Sequence, residues 1–231
     1  MKHVSSAFLA ILVLAGCSSA TTPLRQNAQV TEFVGGESDA DKTSLYWVTE
    51  RFETPESSTD DVKFSDNTWY QSHYLWDGDN LREMTRVGER RTKSGNKVPF
   101  QMTLRFSQNG EAVYQRMRIN GKVMPMRSEQ IGEVRTQADE LVAKSKSQRD
   151  AGLELIQGYW EDGTFTTCGG REYTNIEFKQ ALPKFLIERL KEEDNFAAFI
   201  GEFDSSKVVV DQMLVLKHGG FDCIERPTLE S

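Results

Sequence analysis

Val98-Pro99-Phe100-Gln101-Met102-Thr103-Leu104-Arg105-Phe106 and, beyond Asn109-Gly110, Val113-Tyr114-Gln115-Arg116-Met117-Arg118-Ile119 up to Asn120-Gly121 decide the fold of this chain. In the first run Val98, Phe100, Met102, Leu104 and Phe106 recur at every second residue, with Gln101, Thr103 and Arg105 between them. A side-chain period of two belongs to a strand with one face buried and the other face in water. The second run alternates Val113, Gln115, Met117 and Ile119 with Tyr114, Arg116 and Arg118. Asn109-Gly110 and Asn120-Gly121 are hairpin signals of the type I′ kind, in which both central residues need positive φ. Consecutive hairpins of this sort make a meander, and the expected form is a strongly curved antiparallel sheet.

Working outward, residues 43–127 read as one antiparallel β domain. Leu45-Tyr46-Trp47-Val48 opens it, Thr68 to Trp76 continues the alternation, and Asp77-Gly78-Asp79-Asn80 turns the chain. Residues 128–157 change to helical period, with Ile131, Val134, Ala138, Leu141, Val142, Ser145, Leu153 and Ile156 on one face and Ser128 as N-cap. Residues 158–231 return to β structure around a short helix that has Pro183 near its first turn. If Asp162-Gly163 breaks the first strand there in two, three strands precede that helix, as in a small OB-like barrel. The expected class is therefore mainly β (α+β): a curved antiparallel sheet, a connecting helix and a C-terminal OB-like small barrel. Val30 to Val34 could add an edge strand at the start.

Composition sets limits on partners. Apolar residues at 38% support a real core, and the formal net charge is −7. Charge is uneven, because residues 81–135 hold twelve basic residues against five acidic ones. Arg82, Arg86, Arg90, Arg105, Arg116 and Arg118 belong to that block, and they form a candidate face for an anionic partner such as lipid head groups or cell-wall polymers. The competing account is a solvated sheet face neutralised by the acidic flanks. Nucleic acid is not an expected partner of so acidic a chain. Trp47, Trp69, Tyr74 and Trp76, with Tyr46 and Tyr70 nearby, are either core or a ligand surface for an acyl chain or sugars.

The N-terminus carries a resemblance. Lys2-His3, the apolar run Phe8 to Leu14, and Leu14-Ala15-Gly16-Cys17 resemble the signal peptide and lipobox of bacterial lipoproteins. That family's processing implies removal of residues 1–16 and acylation of Cys17. An anchor of several acyl chains, at about 0.8 kcal/mol per buried CH₂, holds stably to a membrane. Ser18, in place of Asp, implies the outer membrane, with the protein facing the periplasm. Residues 17–42 then read as the acylated cysteine and a flexible tether. With Cys17 used by the lipid, Cys168 and Cys223 remain, and in an oxidising compartment they are expected as a disulfide. A metal or redox pair is the alternative, although the chain has no C-x-x-C.

Gly158-Tyr159-Trp160 through Phe165-Thr166-Thr167-Cys168-Gly169-Gly170 resembles the OB-like C-terminal domain of the envelope-stress and copper-homeostasis lipoproteins. Without that group's N-terminal C-x-x-C, the resemblance implies no copper or redox role here. Over its whole length the chain resembles an uncharacterised gammaproteobacterial lipoprotein family, a domain of unknown function, which implies no activity.

The remaining motifs argue against catalysis. His218-Gly219-Gly220 looks like an esterase oxyanion loop, but no Gly-x-Ser-x-Gly elbow accompanies it. There is no His-Glu-x-x-His and no phosphate-binding glycine loop. His73 reads as a packed or surface histidine. The expectation is a non-catalytic, lipid-anchored envelope protein, with no cofactor and no metal, that serves as a binding or structural module. The alternative is a carrier of lipid or another hydrophobic ligand, with its pocket between the curved sheet and the helix.

Overall fold

The structure is a computed structural model describing residues 29–181, 183–192, 194–204 and 206–229. Cys17, the sixteen residues before it and residues 18–28 of the expected tether lie outside the described residues. Eight strands come first: β1 (Val30–Ser38), β2 (Lys42–Arg51), β3 (Thr54–Phe64), β4 (Trp69–Asp77), β5 (Asn80–Arg91), β6 (Lys97–Phe106), β7 (Ala112–Ile119) and β8 (Lys122–Met124). They pair antiparallel in strict chain order as one curved sheet.

Cross-strand register aligns residues into rows on one face. One row runs Tyr46, Asp60, Ser72, Arg86, Met102 and Met117 across β2 to β7. Its neighbour runs Val48, Ser58, Tyr74, Met84 and Leu104. The helix α1 (Ser128–Asp150) lies on this face and buries Val134, Ala138, Leu141 and Val142 against Tyr46, Val48, Tyr74, Met84, Leu104 and Phe106. Each fully buried large apolar side chain contributes about 1.5–3 kcal/mol.

The second sheet holds β9 (Glu154–Glu161), β10 (Thr164–Thr167), β11 (Glu172–Tyr173), β12 (Ile176–Phe178), β13 (Asn195–Asp204) and β14 (Lys207–His218), with α2 (Lys184–Glu192) between β12 and β13. Its order is β11-β10-β9-β13-β14-β12, and β12 runs parallel to β14. Only Thr174-Asn175 separates β11 from β12, so one interrupted strand supplies both sheet edges. That connectivity is OB-like, around a core of Ile156, Phe165, Tyr173, Phe199, Val208 and Val210. A third cluster, Leu45 and Trp47 with Ile200 and Leu214, joins the outer face of the first sheet to the second.

Four expectations change in detail. The sheet begins inside the segment read as tether, because β1 pairs with β2 over nine positions. Gly35 and Gly36 in β1 are sites of close approach: a Cβ on Gly35 would meet the Gln148 side chain, and one on Gly36 would lie 2.7 Å from the Ser44 carbonyl oxygen.

The long helix stops at Asp150, so Leu153 and Ile156 are not on its face. Gly152, at φ 74°, takes the left-handed position, and the Leu153 and Gly152 amides donate to the Gln148 and Arg149 carbonyls in a Schellman pattern. The first Asn-Gly is no type I′ turn, since of the pair only Gly110 has positive φ and the loop closes from Ser107 to Glu111. Asn120-Gly121, with both residues positive, matches. Lastly, the N-cap of the helix is Arg127 rather than Ser128, which is already its first residue; residues 219–229 form an irregular tail.

Candidate functional site

β3 is the unexpected strand. Its sequence, Thr-Pro-Glu-Ser-Ser-Thr-Asp-Asp-Val-Lys-Phe, has no apolar stripe, yet Ser58, Thr59, Asp60 and Asp61 are all buried. Pairing on both sides with β2 and β4 holds the strand in the sheet regardless of its side chains. That pairing carries Asp60 onto the face under α1.

Asp60 sits at the floor of a cleft of about 360 Å³ between α1 and β1–β4. Tyr46, Ser44, Val62 and Tyr70 line it from the sheet, and Gln137, Glu140 and Lys144 line it from the helix. Glu37 and Lys42 stand at its side, 3.9 Å apart, and Lys144 lies 3.6 Å from Glu37. The Tyr46 hydroxyl donates to Glu37 Oε1 at 2.9 Å.

Behind the floor is a chain of polar groups. Arg86 Nη2 donates to the Tyr74 hydroxyl at 2.9 Å, and that hydroxyl donates to Asp60 Oδ2 at 2.9 Å. Arg86 also donates to Ser72 Oγ at 2.7 Å and to Gln137 Oε1 at 3.1 Å, and its guanidinium stacks 4.0 Å from the Tyr70 ring centre. Tyr74 thus bridges a buried carboxylate and a buried guanidinium. Asp60 and Ser44, in the wall of the cleft, are themselves sealed from solvent, at 3% and 0% exposed.

Burial pushes the Asp60 carboxyl above its ordinary value, and the Arg86 charge opposes that shift. Burial likewise raises the phenols of Tyr46 and Tyr74 and pushes Tyr70 up to about 12. Burial alone would lower Arg86, but Tyr74, Asp60 and Tyr70 outweigh it and hold the guanidinium more firmly charged.

A carboxyl whose folded pKa exceeds its unfolded value of 3.8 contributes its stabilisation below that value. The contribution is lost as pH rises through the folded pKa. In urea unfolding from pH 4 to pH 8, Asp60→Asn should therefore gain stability relative to the parent chain as pH rises. A difference between the two that is flat across this range would exclude Asp60 as a titrating group.

The sequence-selected residues divide among several places. Tyr74 and Trp76 are core, and the Trp76 indole N–H donates to Ser58 Oγ at 2.9 Å. Trp47 packs between the two sheets, and Trp69 is half-buried at the start of β4. The cleft is instead lined by Tyr46 and Tyr70, the other two of the aromatic set.

The six arginines do not form one face. Arg86 is 6% exposed and points under α1, because in its row every neighbour faces the helix. Arg105 and Arg116 line an outer groove with Glu83, to which Arg105 pairs at 2.9 Å. Arg118 and Arg82 are half-buried and Arg90 is exposed. Cys168 and Cys223 are joined in a disulfide. Cys17 lies outside the described residues. Among the described residues no three His, Cys, Asp or Glu side chains gather as a metal site, and no helix is long and apolar enough to cross a membrane.

The described residues form a helix-covered antiparallel meander joined to a half-barrel sheet, with a polar cleft under the helix. The chain belongs to the family designated protein of unknown function DUF1481, which matches residues 34–228. No curated protein and no solved structure matches it.

Proposed function

We propose that this chain is a lipid-anchored, non-catalytic binding module of the outer membrane that faces the periplasm and takes a small polar ligand in the cleft above Asp60. The cleft carries the reading: an opening of about 360 Å³ is walled by Tyr46 and Tyr70 and by the charged groups Glu37, Lys42, Glu140 and Lys144, with the buried Asp60 beneath. The Leu14-Ala15-Gly16-Cys17 lipobox supports the anchor, and the disulfide suits an oxidising compartment.

A carrier of acyl chains fits less well. Tyr74, Met84, Leu104 and Phe106 fill the space between sheet and helix together with Val134, Ala138 and Leu141. The cleft that remains has a carboxylate at its floor and charged groups at its rim.

Native mass spectrometry of the chain extracted from its own membranes tests both parts at once. Expected are a covalent acyl mass on a chain that begins at Cys17, lost in Cys17→Ser, and no co-extracted phospholipid. An unacylated, membrane-associated chain would remove the anchor. A stoichiometric phospholipid would replace the binding module by the carrier.

A further inference from the structure

The outer face of the first sheet lies opposite the helix and the cleft. The second sheet and the tail cover it over β2 and β3, at Leu45, Trp47 and Thr59. Farther across, the register turns three arginines outward together. Arg105 stands opposite Tyr114, Thr103 opposite Arg116 and Gln101 opposite Arg118, on the face away from the buried Met102 and Leu104. On β5 the same rows continue through Glu83, Thr85 and Val87. A groove of about 380 Å³ runs over these residues, with Arg118 at its side.

Its charges are not matched. Glu83 is the one carboxylate that lines the groove among the described residues, and it is taken by Arg105, whose Nε donates to it at 2.9 Å. Among the described residues no hydrogen bond or ion pair engages the side chain of Arg116 or Arg118. Arg116 is exposed and Arg118 is half-buried. Like charges two residues apart on one strand face repel, and an anion beside them relieves that repulsion.

The neutral groups select the kind of anion. Thr85, Thr103 and Arg116 form one row across β5, β6 and β7, with direct neighbours about 5 Å apart between Cβ atoms. Two hydroxyls, the Gln101 amide and a guanidinium fork offer donors from several directions. A carboxylate brings two oxygens and one charge. A phosphomonoester brings three oxygens and about −1.5 to −2 charge at pH 7, which matches the two arginines left without a counter-charge. We propose that this groove binds a phosphomonoester, with Arg116 on its oxygens, Thr85 and Thr103 donating beside it, and Arg105 and Arg118 flanking. The site is separate from the cleft under α1, so either can fail without the other.

Isothermal titration calorimetry of the purified chain in nonionic detergent at low salt tests this. The phosphomonoester probes are glucose 6-phosphate and, in mixed micelles, phosphatidic acid; glucose, acetate and phosphatidylcholine are the controls. At least one phosphomonoester should bind, and no control should. Binding of phosphatidic acid alone assigns the groove to a lipid head group, and binding of glucose 6-phosphate assigns it to soluble phosphomonoesters; both support the site. Arg116→Gln should weaken binding about 10- to 100-fold, as for a hydrogen bond to a charged group. Arg116→Lys, which keeps the charge without the fork, should fall between. Arg90→Gln, at an exposed arginine outside the groove, should leave binding unchanged. Binding of neither phosphomonoester, equal binding of acetate, indifference to Arg116→Gln, or an equal loss in Arg90→Gln would overturn the proposal.

Discussion

Arg86→Met should destabilise the chain by about 3–5 kcal/mol, the range for leaving one member of a buried charge pair uncompensated. The guanidinium is 6% exposed, and its hydrogen bonds run to Ser72, Tyr74 and Gln137. Methionine fills much of the volume but donates nothing. The Asp60 carboxyl then loses its counter-charge, and the Tyr74 hydroxyl that donates to it has lost its own donor. For a chain of this size such a loss lowers Tm by roughly 10 °C or more.

The companion variant decides the cause. Asp60→Asn/Arg86→Met removes both charges, so it should recover part of the loss, and a double-mutant cycle should show coupling above about 1 kcal/mol. Arg86→Lys should behave more like methionine than like arginine, because a point ammonium cannot reach Ser72 and Tyr74 together while stacking on Tyr70. Urea midpoints for the parent, the two single variants, the double variant and Arg86→Lys measure all of this. If Arg86→Met cost less than about 1 kcal/mol, Arg86 would not be the counter-charge of Asp60.

That network is also where the sequence was hardest to read. β6 was plain because Val98 to Phe106 buries alternate residues against α1, and period two records that directly. The joining helix was plain up to Asp150 for the same reason at period 3.6. β3 offered no such signal. Its inward residues are Ser58, Asp60 and Val62, and its outward Thr59 and Asp61 are buried as well, so no contrast between faces exists to detect.

Buried polar strands are stabilised by partners distant in sequence. Asp60 makes sense only once Tyr74 and Arg86 lie beside it, fourteen and twenty-six positions onward. The same blindness placed Arg86 among surface cations. Composition counts charge, whereas the β4–β5 register decides that Arg86 turns inward beside Ser72. Tyr46 and Tyr70 were noticed only as part of an aromatic cluster, and only the β2–β3–β4 pairing separates the cleft tyrosines from the core tryptophans.

The second large effect concerns the disulfide, and it should fall mainly on the C-terminal tail. Cys168 and Cys223 are 55 residues apart, and closing a loop of that length restricts the unfolded chain by about 4 kcal/mol in the chain-entropy account. The cross-link reinforces a tail that also packs on its own sheet, where Phe221 lies 5.1 Å from the Phe196 ring and under the Lys217 ammonium. Gln157 exchanges two hydrogen bonds with Ile224, at 2.7 and 2.8 Å, and Tyr159 donates to the Phe221 carbonyl at 2.9 Å. Beyond them Arg226 reaches across to the first sheet, donating to Thr49, Thr59 and Ser57 at 2.8, 3.1 and 3.1 Å. The tail therefore stitches the barrel to the outer face of the meander, and Cys223 is its covalent fixed point. Cys168→Ser/Cys223→Ser should lose about 4 kcal/mol in urea, and amide exchange should accelerate first at Ile224 and neighbouring tail positions while β5 and β6 keep their protection. Dithiothreitol should lower the parent's urea midpoint toward that of the double variant and leave the variant unchanged. A parent chain whose midpoint ignored the reductant, while free-thiol titration confirmed reduction, would show that the non-covalent contacts of Gln157, Tyr159, Phe221, Ile224 and Arg226 suffice to hold the tail in place.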